Sequence, residues 1–273
     1  MKLFIFGFGY TATRLVKKLS STSWQYSGTH RNSHILFDGH APVSNIAEHL
    51  NGVTHVLISI PPDRDQKDFV YHHHLNDLRN LSDLKWLGYL STTSVYGNWS
   101  GQWVNEMSDT NPTEDRGKSR LAAEKLWIDS GLPTHIFRLG GIYGPGRNQI
   151  EAVKNNSALK IIKENHYFSR IHVNDISSAL IKSMEQPSNG SVYNIVDDFP
   201  APASDVLDFL CDKLGKPRLH GIPLEQADIS PALRSFYADN KRVSNRITKE
   251  KLNWQPQFPS FKEGYLDILA KLN

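Results

Sequence analysis

The sequence predicts a doubly wound α/β protein, in which helices cover both faces of a parallel sheet and a small lobe is appended toward the C-terminus. Three observations carry this reading. Short apolar runs alternate with stretches whose apolar residues recur every three or four positions, the first run leads straight into a glycine-rich turn, and after about Val196 the alternation gives way to proline-punctuated helices.

The elements follow in order. Leu3 to Phe6, Gln25 to Thr29, His55 to Ile60, Trp86 to Ser91, Thr134 to Leu139 and Ser191 to Val196 read as strands joined by βαβ crossovers. Thr11 to Ser20, Asp68 to Leu81 and Lys118 to Ser130 read as amphipathic helices packed on them. Gly131-Leu132-Pro133 stops the last of these. Ala203 to Leu214 and Asn240 to Leu252 are expected as helices of the appended lobe, among Pro200, Pro202, Pro217, Pro223 and Pro231. No internal repeat or low-complexity tract interrupts the pattern.

Composition excludes several classes. No apolar run approaches the roughly 18 residues that span a bilayer, and the apolar start from Met1 to Gly7 is too short for a signal peptide. A net charge of +3, with lysines and arginines scattered among acids, gives no nucleic-acid footprint. The single cysteine, Cys211, has no intrachain partner and sits with Leu207 and Leu210 on an apolar helix face, which suggests a reducing compartment. A cytoplasmic protein acting on a small molecule, without membrane or nucleic-acid partner, is the expectation, with a homodimer as one arrangement open to it. Tyr71-His72-His73-His74 resembles a metal cluster, but consecutive helical side chains point about 100° apart and cannot converge on one ion. A polar helix face is expected there, and no metal site.

The glycine turn is the first residue set with a chemical meaning. Gly7-Phe8-Gly9-Tyr10-Thr11-Ala12 has the G-x-G-x-x-A pattern between a strand and a helix. Gly7 permits the tight turn, Gly9 lets backbone amides approach a pyrophosphate, and Ala12 lets the helix pack close to the strand. Tyr10 and Thr11 open the helix, whose N-terminus favours anions. The alternative is a turn that only connects two elements. A Rossmann-type dinucleotide-binding domain is expected over residues 1–198, with part of 146–170 contributing to a substrate lobe at 199–273. The second strand ends Gly28-Thr29-His30-Arg31 with no acid before Asp38. The rigid fork of Arg31, with His30 beside it, suits a 2′-phosphate, so NADP is favoured and NAD remains possible.

Further motifs then appear in a fixed order: Leu90-Ser91-Thr92-Thr93-Ser94-Val95-Tyr96-Gly97, Trp103-Val104-Asn105-Glu106, Lys118 to Glu124, Phe137 to Arg147, and Arg170-Ile171-His172-Val173-Asn174-Asp175-Ile176. Together they resemble the extended short-chain dehydrogenase/reductases, the NAD-dependent epimerase/dehydratase family, over nearly the whole chain. The resemblance implies that the Thr92 hydroxyl assists a reacting carbonyl or alcohol oxygen, and that the Gly140-Gly141 segment passes beside the nicotinamide. It also implies a Tyr-x-x-x-Lys pair, in which tyrosine is the acid/base and lysine binds ribose. Here the matching positions are Arg116 and Arg120. Arg120 retains donors for the ribose, but Arg116 stays charged and cannot cycle a proton.

Tyr96, Tyr143 and His172 are the substitute acid/base candidates inside the family-like motifs. The one Tyr-x-x-x-Lys in the chain, Tyr237 to Lys241, lies in the expected substrate lobe and reads as coincidence. The family's usual phosphate-binding arginine before Ile-His-Val is replaced by Phe168, with Arg170, Arg147 and Arg234 as other cations. The expectation is an atypical NAD(P)-binding oxidoreductase or epimerase acting on a sugar-like or other polar carbonyl or alcohol substrate. The alternative is a catalytically degenerate NADP(H)-binding regulatory or sensor protein.

Overall fold

A computed structural model describes residues 1–31, 35–63, 65–188 and 190–272. The chain starts with β1 (Lys2–Phe6), α1 (Tyr10–Leu19), β2 (Gln25–Gly28), α2 (Ile46–Leu50), β3 (His55–Ile58) and α3 (Phe69–Arg79). β4 (Trp86–Thr92), the two-residue β5 (Trp103–Val104), α4 (Asp115–Ile128), β6 (Thr134–Leu139) and β7 (Gly141–Tyr143) come next. Then follow α5 (Ile150–Lys154), β8 (Lys160–Ile162), β9 (Arg170–His172), α6 (Val173–Glu185) and β10 (Ser191–Ile195). The remainder holds α7 (Ala203–Lys213), β11 (Gly221–Pro223), α8 (Pro231–Ser235), β12 (Arg242–Val243), α9 (Arg246–Leu252) and α10 (Phe261–Ala270).

Six strands form one parallel sheet in the order β2-β1-β3-β4-β6-β10. They are the six apolar runs of the sequence, within a residue or two at their ends. The order reverses at β1, which has β2 on one side and β3 on the other, and such a switch point opens a crevice at the carboxyl ends of the strands. β3 and β4 are buried along their whole length, as strands covered on both faces must be. Ala12, Leu15 and Leu19 of α1 and Ile176 and Leu180 of α6 fill one face of the sheet. Val70, Leu78, Ala123 and Trp127 of α3 and α4 fill the other.

A separate apolar cluster joins Tyr143, Ile150 and Val153 to Val206, Leu210, Cys211, Phe261, Tyr265 and Ile268, with Cys211 as a buried free thiol. Leu252 and Trp254 instead return to the core between the sheet, α1 and α6.

Two expectations need correction. The helix expected from Asn240 begins only at Arg246, because Arg242 and Val243 pair in parallel with Trp103 and Val104, and the Asn240 carbonyl accepts from the amides of Trp99 and Gly101. A backbone committed to a ladder cannot also open a helix. The polar face expected at His72 to His74 holds for exposed His72 and half-buried His73 but not for His74. His74 has 0% exposure, stacks on Phe6 at 5.3 Å, accepts from the Val43 amide through Nε2 and donates from Nδ1 to Asp77. Burial pushes its pKa down, so the core holds a neutral imidazole. Among the described residues no helix is long and apolar enough to cross a membrane.

Candidate functional site

The glycine turn lies where β1 ends, at the reversal of strand order. Thr29 fixes it from β2: its hydroxyl accepts from the Gly7 amide at 3.0 Å and its carbonyl from the Phe8 amide at 2.8 Å. Gly7 has a φ of +94°, and a Cβ there would meet Ile60 at 2.7 Å, so this glycine is required by the fold itself. Gly9 differs. Its backbone is extended, and a Cβ built on it would meet nothing within 4 Å. It caps α1 without a side-chain hydrogen bond, and no acid sits in the first turn. Among the described residues, the amides of Tyr10, Thr11 and Ala12 find no acceptor in the chain. Open space in front of three unpaired donors at a helix N-terminus fits a pyrophosphate.

Tyr10 covers one side of this space. Its hydroxyl donates to the Pro145 carbonyl at 3.1 Å, and its ring lies between the guanidiniums of Arg14 and Arg147, 5.9 and 5.8 Å from the centroid. Arg31 stands exposed just past the end of β2. The residues that follow it, Asn32 to His34, lie outside the described ones.

The second half of the candidate site is the end of β4. Thr92 donates to Ser94 Oγ and accepts from the Ser94 amide, both at 3.2 Å, so it caps the short 3-10 turn of Thr93–Tyr96. α4 then passes over the strand. Arg120 donates to the Leu90 carbonyl at 2.5 Å and to the Tyr89 hydroxyl at 3.3 Å, which seats its guanidinium beside the strand end. One turn earlier on the helix, Arg116 lies over the ring of Phe236 at 5.5 Å. Loss of water around it, followed by Arg120 and Arg147, pushes its pKa down.

Two of the sequence-derived acid candidates are turned elsewhere. Tyr96 is fully buried, its hydroxyl donates to Asn194 Oδ1 at 2.7 Å, and its ring lies under the Arg138 guanidinium. Tyr143 is buried against α10: it donates to the Ser260 carbonyl at 3.3 Å, stacks on Tyr265 and abuts the backbone of Gly264. Burial raises both pKa values. Tyr96 and Tyr143 are thus both held in packed surroundings, with their hydroxyls committed to Asn194 and Ser260. Gly141 is exposed, with its amide donating to the Ser169 carbonyl at 2.9 Å. His172 is buried in contact with Tyr143 and Phe258, and burial pushes its pKa down to about 4.

The other cations also separate. Arg170 bonds the carbonyls of Phe168, Ala201 and Pro202, and Arg234 bonds those of Leu224 and Ala227, so both staple backbone. Among the described residues Arg147 makes no such bond, and it is exposed. Tyr237 and Lys241 are both buried, with Lys241 facing Asp239 at 3.6 Å. A cavity of about 480 Å³ opens behind α1, lined by Arg14, Lys17, Lys18 and Lys271, and includes neither Gly9 nor Thr92.

Sequence reasoning missed the group directly beneath the site. Arg138 of β6 bonds Glu124 of α4 through Nε and Nη2, and Ser91 Oγ donates to the same carboxylate at 2.5 Å. An arginine inside an otherwise apolar strand was the available signal, since such a charge needs a buried partner.

Comparison with known proteins places the fold. No protein-family model matches the chain. It is 39% identical to a functionally unknown conserved protein from Silicibacter pomeroyi, with a TM-score of 0.91 over 99% of this chain and 98% of that one. Among curated proteins it is 27% identical to a 3-diazoavenalumate denitrifying reductase from a Streptomyces species, over 52% of this chain and 49% of that protein. The chain thus matches about half the length of that relative. It is 25% identical to protein YeeZ of Escherichia coli K12, over 71% of this chain and 77% of that one. The fold recurs in the human epimerase family protein SDR39U1 with NADPH, at 15% identity and TM-score 0.79, each chain covered to 99%. It recurs again in a Bacillus cereus UDP-glucuronic acid 4-epimerase in complex with UDP-glucuronic acid and NAD, at 18% identity and TM-score 0.80, with both chains covered throughout.

Proposed function

Because the chain belongs to the family of the Silicibacter pomeroyi protein and has the fold of the extended short-chain dehydrogenase/reductases, we propose that it is an NADP(H)-binding oxidoreductase for a polar carbonyl or alcohol substrate. The single observation that carries this reading is the glycine turn, with open space at Gly9 and three unpaired amides at the start of α1. Gly7, Gly9, Tyr10, Thr11 and Ala12 would hold the pyrophosphate, Arg31 the 2′-phosphate, and Arg120 and the Gly141 segment the nicotinamide end. The cofactor, once bound, supplies hydride chemistry.

The rest falls to this chain's own groups. Thr92 presents a hydroxyl at the strand end that can bond a substrate oxygen, while Arg120 adds permanent positive charge beside it. No tyrosine of the family-like motifs serves as acid. Arginine donates hydrogen bonds without releasing a proton, so protons must come from water or from the substrate. The substrate would lie between the sheet edge and residues 199–273, with part of 146–170. That same lack of an acid favours, as a second reading, an NADP(H)-binding sensor without turnover.

Titration calorimetry of NADPH and NADH tests the assignment. Gly9→Val should fold, because its Cβ meets nothing, yet bind the dinucleotide far more weakly. Arg31→Ala should lose most of a preference for NADPH that one charge-assisted hydrogen bond sets at roughly tenfold to a hundredfold. Unchanged affinity in Gly9→Val would remove the cofactor from this turn. Hydride transfer to a panel of carbonyl compounds then separates enzyme from sensor.

A further inference from the structure

Arg116 lies within electrostatic reach of both Arg120 and Arg147, and the acid that Arg120 reaches, Asp68, is buried and already bonded by the Tyr71 amide and the Trp127 indole. Arg116 and Arg120 are four residues apart on α4 and so share one face, where like charges repel. Arg116 also sits in the first turn of that helix, whose dipole is unfavourable to a cation. Arg147 approaches from the turn after β7, over Tyr10. Among the described residues none of the three lies within ion-pair distance of a carboxylate. A lone exposed arginine is ordinary. Here two separate elements bring arginines together, and one of them is pinned by Leu90 with its remaining N–H groups uncommitted.

We propose that Arg116, Arg120 and Arg147 form a receptor for an oxyanionic group of the substrate, a carboxylate or a phosphate, so that the protein acts on an anion held beside Thr92. The proposal rests on the reading that the adjoining glycine turn holds the dinucleotide, and it names the class of molecule that the site would take. Planar guanidinium forks match both oxyanions in two-point contact, and their charge persists at any working pH. In this arrangement the positions expected for tyrosine and lysine bind charge instead of moving protons. The anion in turn supplies the counter-charge that the chain withholds.

The probes are inorganic phosphate and malonate, titrated separately into the full chain, with and without saturating NADP+, at an ionic strength fixed with sodium chloride. One saturable site is expected. Arg116→Gln and Arg147→Gln should each weaken it at least about tenfold, the factor for one lost charge-assisted hydrogen bond, while NADP+ affinity holds. Arg218→Gln, which removes a guanidinium paired with Asp212 on the exposed surface of α7, should change nothing. Tighter malonate marks a carboxylate substrate, and tighter phosphate marks a phosphorylated one. No binding beyond chloride, or equal binding in both cleft variants, overturns the proposal. So does displacement of the probe by NADP+ in the wild type, which would give the arginines to the cofactor's own phosphates. Gly9→Val separates the two readings: it should lose NADP+ and keep the probe, and a wild type that binds the probe but no dinucleotide would sink the proposed function alone.

Discussion

One stripe of α4 carries Arg116, Arg120 and Glu124 at intervals of four, and the two ends of that stripe treat charge in opposite ways. At the inner end Glu124 is 1% exposed and holds Arg138 at 2.8 Å, with Ser91 completing the carboxylate's hydrogen bonds. Burial alone would lower the Arg138 pKa, but Glu124 outweighs it and keeps the guanidinium charged. At the outer end Arg116 and Arg120 form no ion pair among the described residues, and Arg147 adds a third cation. In the core, charge persists only where the chain supplies its opposite, because desolvation is too costly otherwise. At the cleft water lowers that cost, and the missing opposite charge is free to come from a ligand.

The largest test of the inner rule comes from acid. His55, His135, His166 and His172 are buried, and burial pushes each pKa down to about 4, against about 6.5 in an unfolded chain. Between those values the unfolded chain binds protons that the folded one refuses. Stability should therefore be full above about pH 6.5 and fall steadily as pH drops toward 4. A tenfold change in proton affinity corresponds to about 1.4 kcal/mol, so four such groups make this the steepest dependence expected. Urea denaturation at pH 7 and pH 5 measures it. A flat profile would mean that these imidazoles charge without penalty and that the core is less strict than its packing suggests.

A smaller loss should follow when one half of the buried pair is removed. Glu124→Gln leaves Arg138 without a counter-charge, which typically costs about 3–5 kcal/mol. The double variant Glu124→Leu/Arg138→Met should recover most of that, since apolar side chains of similar volume often replace a buried pair at little cost. A Glu124→Gln variant within about 1 kcal/mol of wild type in urea, a loss no larger than an exposed pair produces, would erase the distinction between the two ends of α4.

Much of the fold and part of the site were legible beforehand, for identifiable reasons. The inner strands were visible because a sheet covered on both faces demands unbroken apolar runs, which Val56 to Ile58 and Leu87 to Leu90 satisfy locally, whereas the edge strand β2, Gln25–Gly28, is polar and partly exposed and was legible from its place between α1 and the next crossover. The turn at Gly7 was visible because a backbone at positive φ leaves few residue choices. Side-chain direction was not legible. Tyr96 and Tyr143 stand in the expected motifs, but whether a tyrosine faces a cleft or a neighbouring helix is set by tertiary contacts such as Asn194 and Ser260. His74 looked polar because sequence does not show the Val43 amide and Asp77 that satisfy it. The Glu124–Arg138 pair was hidden for the same reason: the partners lie 14 residues apart on different elements.

The smallest expected effect concerns the outer end of the stripe. Arg116→Gln and Arg147→Gln remove no ion pair and no hydrogen bond within the described chain, and each relieves repulsion from neighbouring guanidiniums. Surface changes of this kind usually stay within about 0.5 kcal/mol, and loss of a like-charge neighbour gains a few tenths. Both variants should therefore denature in urea at or slightly above the wild-type midpoint in low salt, and the small gain should fade as added salt screens the repulsion. Arg120→Gln should differ, because it gives up the bond to the Leu90 carbonyl and loses stability by about 1 kcal/mol. If Arg116→Gln and Arg147→Gln instead destabilise the protein as much as Arg120→Gln does, those two arginines are structural, and the contrast with Glu124 and Arg138 has been drawn in the wrong place.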